Sequence, residues 1–297
     1  MWDEVNEGYA TNVNSLMVNH NRITITAHAN PNIGEKPHLS YDWAPFVIKN
    51  ALVTAPHTDS DLCDIHTTSE HVLHGCVAQE HDKKADLAVP PLPLFKHFFV
   101  QAAARSHINL HLHWHPSSTT KPSEQPLYLK QSYDSPPLVT ILVDMLNRSD
   151  NLIAEALFKK LGQHFFHAPG SWLKGRVFAH TILSTWAETK HLTMADGSGL
   201  SRYNALSAAQ IGHLITLMYQ NIAMRHDLLV TLPQIDHHAI YAKTGSMTGV
   251  KNLAGIINPN SKHPIAFVLM FNQINSAQQA QQVNTAIHKI LEQLTTT

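Results

Sequence analysis

Tyr241-Ala242-Lys243-Thr244-Gly245-Ser246 is the stretch on which the fold turns. Two further apolar runs follow it, Asn252-Leu253-Ala254-Gly255-Ile256-Ile257 and Ile265-Ala266-Phe267-Val268-Leu269-Met270-Phe271. Asn258-Pro259-Asn260-Ser261 separates these two and has the composition of a turn. Short β-rich runs broken by glycine and turn residues predict a three-stranded antiparallel meander. Ser276 with Gln279 has capping-box spacing and announces a C-terminal helix, with Val283, Ile287, Ile290 and Leu294 on its inner face. Working back, Ser207 with Gln210 repeats the device before Ile211. Pro169-Gly170-Ser171 starts a helix reaching about residue 189. A helix over 152–161 is expected to stop at Gly162. Leu138, Ile141, Leu142 and Met145 recur at helical spacing. Residues 95–105 predict a helix and residues 108–114 a strand.

The first 98 residues differ in texture. Short β-like runs at 14–18, 22–26 and 46–48 alternate with turn residues, and Pro90-Pro91-Leu92-Pro93 marks a boundary. The expectation is a mixed α/β (α+β) fold in two regions, 1–98 rich in β-structure and 99–297 alternating helix and strand.

The composition narrows the partners. With 297 residues and 43% hydrophobic content the chain can bury a sizeable core. Its charged share is only 14% and its formal net charge is −1, which argues against nucleic acid or an anionic membrane surface as the main partner. The 23 histidines make that charge depend on pH near neutrality. No apolar run reaches the length of a membrane span. Met1-Trp2-Asp3-Glu4-Val5-Asn6 has neither the basic nor the apolar part of a signal peptide, so the reading is cytoplasmic if Met1 is the true start. Cys63 and Cys76 are close enough to form a local disulfide or to remain two thiols; zinc is disfavoured because neither sits in a Cys-x-x-Cys pair. His111, His113 and His115 share one face of the strand expected at 108–114, which is metal-ligand spacing, but a solvated strand face in a His-rich chain is the favoured reading. No metal and no organic cofactor is expected.

Two triplets carry chemistry. Lys243-Thr244-Gly245 puts a cation on a strand, followed by a hydroxyl and a residue that lets a ligand approach the backbone. That suits an extended peptide ending in a carboxylate; the plain alternative is a strand end entering a turn. Ser149-Asp150-Asn151 lies between two helical stretches, where all three residue types are good helix caps. Projecting into a cleft, the same Ser hydroxyl and Asn amide can relay a proton and hold a substrate amide.

Order makes the two more informative than either alone. Asn147-Arg148-Ser149-Asp150-Asn151-Leu152-Ile153-Ala154-Glu155, then Ala195-Asp196-Gly197-Ser198-Gly199-Leu200-Ser201-Arg202-Tyr203-Asn204, then Ala242-Lys243-Thr244-Gly245-Ser246 resemble the low-molecular-mass class C penicillin-binding proteins, the D-alanyl-D-alanine carboxypeptidase/endopeptidases. Trp2-Asp3-Glu4-Val5, Leu73-His74-Gly75-Cys76 and Pro169-Gly170-Ser171-Trp172 agree with that resemblance. It implies that residues 1–98 are a β-rich accessory insertion preceding residues 99–297, the C-terminal part of a transpeptidase-like domain, with Ser149, Asn151 and Lys243 catalytic and Thr244, Gly245 and Ser246 binding substrate. It further implies peptidoglycan stem peptides as substrate, an acyl-enzyme intermediate and a periplasmic location.

The family's nucleophile lies in a helical Ser-x-x-Lys that should precede all these motifs, and no convincing copy is found. Ser118 to Lys121 is flanked by Pro116 and Pro122, and Ser171 to Lys174 reads as a helix cap. The nucleophile is therefore left unassigned, and the transpeptidase-like domain is expected to be incomplete. The isolated chain is expected to be inactive, and to react with β-lactams only if a nucleophile is supplied, for example by an upstream complementary fragment. A catalytically dead module that binds stem peptides or a partner, and a truncated-gene remnant, are the alternatives.

Overall fold

The computed structural model describes residues 7–59, 63–68, 70–110, 132, 134–186, 191–235 and 240–295. The chain divides into two compact units, Asp3–Pro137 and Leu138–Thr297.

In the first unit, β1 (Arg22–His28) alternates inward Ile23, Ile25 and Ala27 with outward-facing partners. It pairs antiparallel with β7 (Asp82–Ala88) along its whole length and with β2 (His38–Ser40) at one end. β6 (Val72–Ala78) pairs in parallel with β3 (Lys49–Asn50) and β4 (Val53–Ala55), and antiparallel with β5 (Ile65–Thr67). Leu52, Leu73, Val77 and Leu87 join the inward residues of β1 in one core. Helix α1 (Pro91–Arg105) buries Leu94 in that core. The division expected at 98/99 lies inside this helix.

Two expected strands are absent. Residues 14–18 are irregular, and 46–48 lead into the two-residue β3 without joining it. Phe46 stacks on His71 with ring centroids 3.6 Å apart, while Val47 is 80% exposed, so neither follows strand alternation. Cys63 and Cys76 form a disulfide, which decides between the two readings left open by the sequence. His111, His113, His115, Ser118 and Lys121 lie outside the described residues, as does most of the strand expected at 108–114. Among the described residues no group of three or more His, Cys, Asp or Glu could hold a metal ion. No described helix is long and apolar enough to cross a membrane.

The second unit contains the meander. β9 (Ile240–Met247), β10 (Val250–Ile257) and β11 (Ile265–Asn272) are antiparallel neighbours, and the two-residue β8 (Gln234–Ile235) adds to the far side of β9. The turn at 258–261 closes with Ser261 N–H donating to Asn258 O at 3.0 Å. The C-terminal helix α7 (Ala277–Thr295) covers one face, where Leu291, Ile287 and Leu294 pack on Ile240, Ala242, Leu253, Ile257 and Phe267. Leu291, absent from the expected inner face, is its most buried member. The remaining helices are α2 (Leu138–Arg148), α3 (Asn151–Phe166), α4 (Trp172–Trp186), α5 (Ala208–Gln220) and α6 (Ile222–Thr231). Ser207 and Gln210 form the capping box read from the sequence.

One helix end is corrected. α3 does not stop at Gly162 but continues to Phe166 and ends on His167 in the left-handed region, φ 49°. Gly162 is needed for packing instead. A Cβ there would lie 2.6 Å from the backbone nitrogen of Gly175 in α4. Two helices crossing that closely leave no room for a side chain, so the glycine marks a contact and not a terminus.

Candidate active site

The structure divides the Ser149-Asp150-Asn151 triplet between two jobs. Asp150 is the buried N-cap of α3, accepting from Ile153 N–H at 2.9 Å. Asn151 is the first helical residue. Ser149 sits just outside in the left-handed region, φ 53°, and is exposed. This sharp corner between α2 and α3 turns the Ser149 hydroxyl away from the capping role, which its neighbour fills.

That hydroxyl meets Lys243. The Lys243 ammonium donates to Ser149 Oγ at 2.5 Å, to Thr244 O at 2.9 Å and to Thr244 Oγ1 at 3.4 Å. The first contact joins residues 94 positions apart. These three partners are neutral oxygens, so no carboxylate among them balances the charge. Burial pushes the Lys243 ammonium below the ordinary lysine range.

The β9 strand explains the placement. Ala242 is fully buried against the α7 side, so alternation sends Lys243 to the opposite face, toward α3. Ala242 N–H donates to Pro233 O at 2.9 Å, on the β8 side. The N–H and C=O groups of Thr244 and Ser246 point the same way by the two-residue period. β8 pairs only with Tyr241 and Ile240, so among the described residues this part of β9 is an open edge. Thr244, Gly245 and Ser246 are exposed along it. At Gly245 an added Cβ would meet only Asn252 Cβ, at an ordinary 3.7 Å, so the space beside it is open to a ligand. The arrangement offers a cation, two hydroxyls and a row of backbone donors to an extended anionic peptide. A separate concavity of about 440 Å³ opens on the α7 side of the same sheet, lined by Ser246, Lys251, Ile274 and Ala277; Lys243 and Ser149 do not line it.

Of the two Ser-x-x-Lys strings, one can be followed. Ser171 Oγ accepts from Lys174 N–H at 3.3 Å, which is cap geometry, and the Lys174 ammonium donates to Pro169 O at 2.6 Å.

The loop 195–204 has a different role from the two triplets. Asp196, buried, accepts from Gly199 N–H at 2.9 Å, Ser201 N–H at 2.6 Å and the Asn204 amide at 2.8 Å. Glu155, buried in α3, accepts from Gly197 N–H at 3.1 Å and from Ser198 N–H and Oγ at 3.0 and 2.7 Å. Its second oxygen takes the Trp172 indole N–H at 2.6 Å. Sequence reasoning passed over Glu155 as part of a motif. The available signal was one acid inside the apolar run Leu152-Ile153-Ala154-Glu155-Ala156-Leu157-Phe158, where a buried charge demands partners.

The fold is similar to the crystal structure of penicillin binding protein 4 (dacB) from Haemophilus influenzae, with a TM-score of 0.67 at 23% identity over 93% of this chain and 65% of that one. In sequence the chain is 23% identical to the D-alanyl-D-alanine carboxypeptidase DacB of the same organism, over 92% of this chain and 61% of that protein. It is 32% identical to penicillin-sensitive carboxypeptidase A of Dictyostelium discoideum over 54% of this chain and 34% of that one. The pattern of the D-Ala-D-Ala carboxypeptidase 3 (S13) family matches residues 1–294, and the chain belongs to that family. It spans under two thirds of the length of the Haemophilus relatives.

Proposed function

We propose that this chain forms the substrate-holding and proton-handling part of a serine-type D-alanyl-D-alanine carboxypeptidase/endopeptidase acting on peptidoglycan stem peptides. The observation that carries the reading is the Lys243–Ser149 contact beside the open edge of β9. Lys243 and the Thr244 hydroxyl bind the terminal carboxylate of the peptide. The backbone N–H of Ser246 serves the oxyanion, and Asn151 holds the substrate amide. A serine hydroxyl from outside these elements attacks the carbonyl between two D-alanines. The C–N bond breaks, the terminal D-alanine leaves with a proton relayed through Ser149, and water then hydrolyses the acyl ester.

We assign the nucleophile to a Ser-x-x-Lys fragment that can be supplied in trans, and the first unit to the accessory insertion. The Cys63–Cys76 disulfide supports an oxidising compartment such as the periplasm. Co-expression with such a fragment tests the reading. D-alanine release from a stem peptide is expected only from the pair, and Lys243→Ala and Asn151→Ala are each expected to abolish it. Activity untouched by both substitutions rejects the site. Stem-peptide binding by this chain with no activity in any pairing favours the dead binding module. A fluorescent penicillin is expected to leave the chain alone unlabelled on a denaturing gel.

A further inference from the structure

Building on that reading of Ser149, Asn151 and Lys243, we infer that Glu155 is a positioning residue for the site, acting through the 195–204 loop as a rigid spacer between α3 and β9. Glu155 lies one turn beyond Asn151 on the same helix, so whatever fixes Glu155 fixes the face on which Asn151 stands. Asp150 caps the helix end and Gly162 packs against Gly175 three turns on, but neither bonds α3 to the loop. The two Glu155 oxygens supply that tie, because they grip separate elements: the start of α4 through Trp172, and the loop through Gly197 and Ser198. The loop lies directly on α3. A Cβ at Gly197 would fall 2.5 Å from Phe158 Cβ and 2.8 Å from Ala154 O.

The spacer is stiff and reaches β9. Asp196 ties three donors across the loop. Asn204 returns an acceptor to Ala195 N–H at 2.7 Å. Thr193 and Ala205 close its base with two backbone bonds of 2.8 and 2.9 Å. Beyond it, the Arg202 guanidinium donates to Thr248 O at 3.2 Å, in the tight turn that ends β9. The route from the helix bearing Asn151 to the strand bearing Lys243 is thus continuous.

Lysine reactivity reads this out without needing turnover. Competitive trace acetylation across pH, quantified lysine by lysine, gives the titration of Lys243 and Lys159 in the intact chain. Both lie below the ordinary lysine range through burial, and Glu155 opposes that shift only for Lys159, whose ammonium sits 3.8 Å over the Trp172 ring. Glu155→Gln is expected to move the two in opposite directions. Lys159 falls further on losing the carboxylate, and Lys243 rises as Ser149 withdraws and water enters. A Lys243 titration unchanged in a folded Glu155→Gln chain overturns the inference. If that variant unfolds, both lysines rise together, and the single-donor variants Trp172→Phe and Ser198→Ala decide: an upward step of Lys243 in each supports positioning, and none overturns it.

A labelled peptide ending in D-Ala-D-Ala separates this from the functional reading. Binding by the intact chain that survives Glu155→Gln but not Lys243→Ala sinks the positioning role and keeps the function. No binding by the intact chain, with Lys243 still moving in Glu155→Gln, keeps the positioning and sinks the function.

Discussion

The strand segment 243–246 and the loop 196–201 are both motifs legible in the sequence, yet the structure uses them in opposite ways. Thr244, Gly245 and Ser246 are exposed, with open space beside Gly245 and a backbone edge that is unpaired among the described residues. Asp196, Gly197 and Ser198 are wrapped in hydrogen bonds to α3 and to their own loop. A motif whose polar groups are already saturated holds shape; one whose groups face open space is available to a ligand. The more distinctive string, Asp196-Gly197-Ser198-Gly199-Leu200-Ser201, is the architectural one.

The contrast breaks most readily at Glu155. Glu155→Ala strips the acceptor from four donors in a buried setting, and a loss of about 3–5 kcal/mol is expected, since leaving such groups unpaired costs far more than the bonds contribute. Denaturant unfolding measures it, and amide exchange at Gly197 and Ser198 should accelerate with it. A loss under about 1 kcal/mol would mean that water replaces the carboxylate and that the loop is no spacer.

Next in size is the Cys63–Cys76 bridge, which closes a loop of sequence separation 13. Cys63→Ser with Cys76→Ser is expected to cost about 2–4 kcal/mol. The loss should be confined to the first unit, with exchange in β9 and β10 unchanged. Equal acceleration in both units would show that the site leans on the bridge.

Lys243→Ala is the inverse case. Its stability cost is expected to stay under about 1 kcal/mol, since the side chain is only half-buried and makes contacts to neutral oxygens. Its effect on peptide binding should be complete. A large stability loss with intact binding would reverse the assignment of exposed strand and saturated loop.

The smallest effect is a pH dependence in the first unit. His71 Nδ1 is buried without a hydrogen-bond partner among the described residues, the ring lies on Phe46, and burial pushes its pKa below the ordinary 6.5. The folded state therefore disfavours the proton that the unfolded chain accepts. The stability contribution is full above 6.5 and is lost as pH falls from there through the lower folded value. His71→Phe should flatten that slope in thermal melts between neutral pH and pH 5; an unchanged slope assigns the dependence to other histidines.

Local pattern reading recovered what local physics controls. The meander, its 258–261 turn, the Ser207–Gln210 box and the helix over 138–145 all follow from periodicity and capping, because each is fixed by residues a few positions apart. It failed where a distant element decided. Gly162 looks like a terminus until α4 lies against it, and residues 14–18 have strand composition but pair with no strand among the described residues.

By itself the sequence determined the identity and order of the three motifs, and with them the family. Only the tertiary structure decided that Asp150 caps while Ser149 reaches Lys243, that Cys63 bonds Cys76, and that Glu155 joins α3 to the loop. The physical reason is the same in each case. A hydrogen bond or disulfide between residues far apart in the chain depends on how the elements pack, and one residue's neighbours in sequence carry no record of that packing.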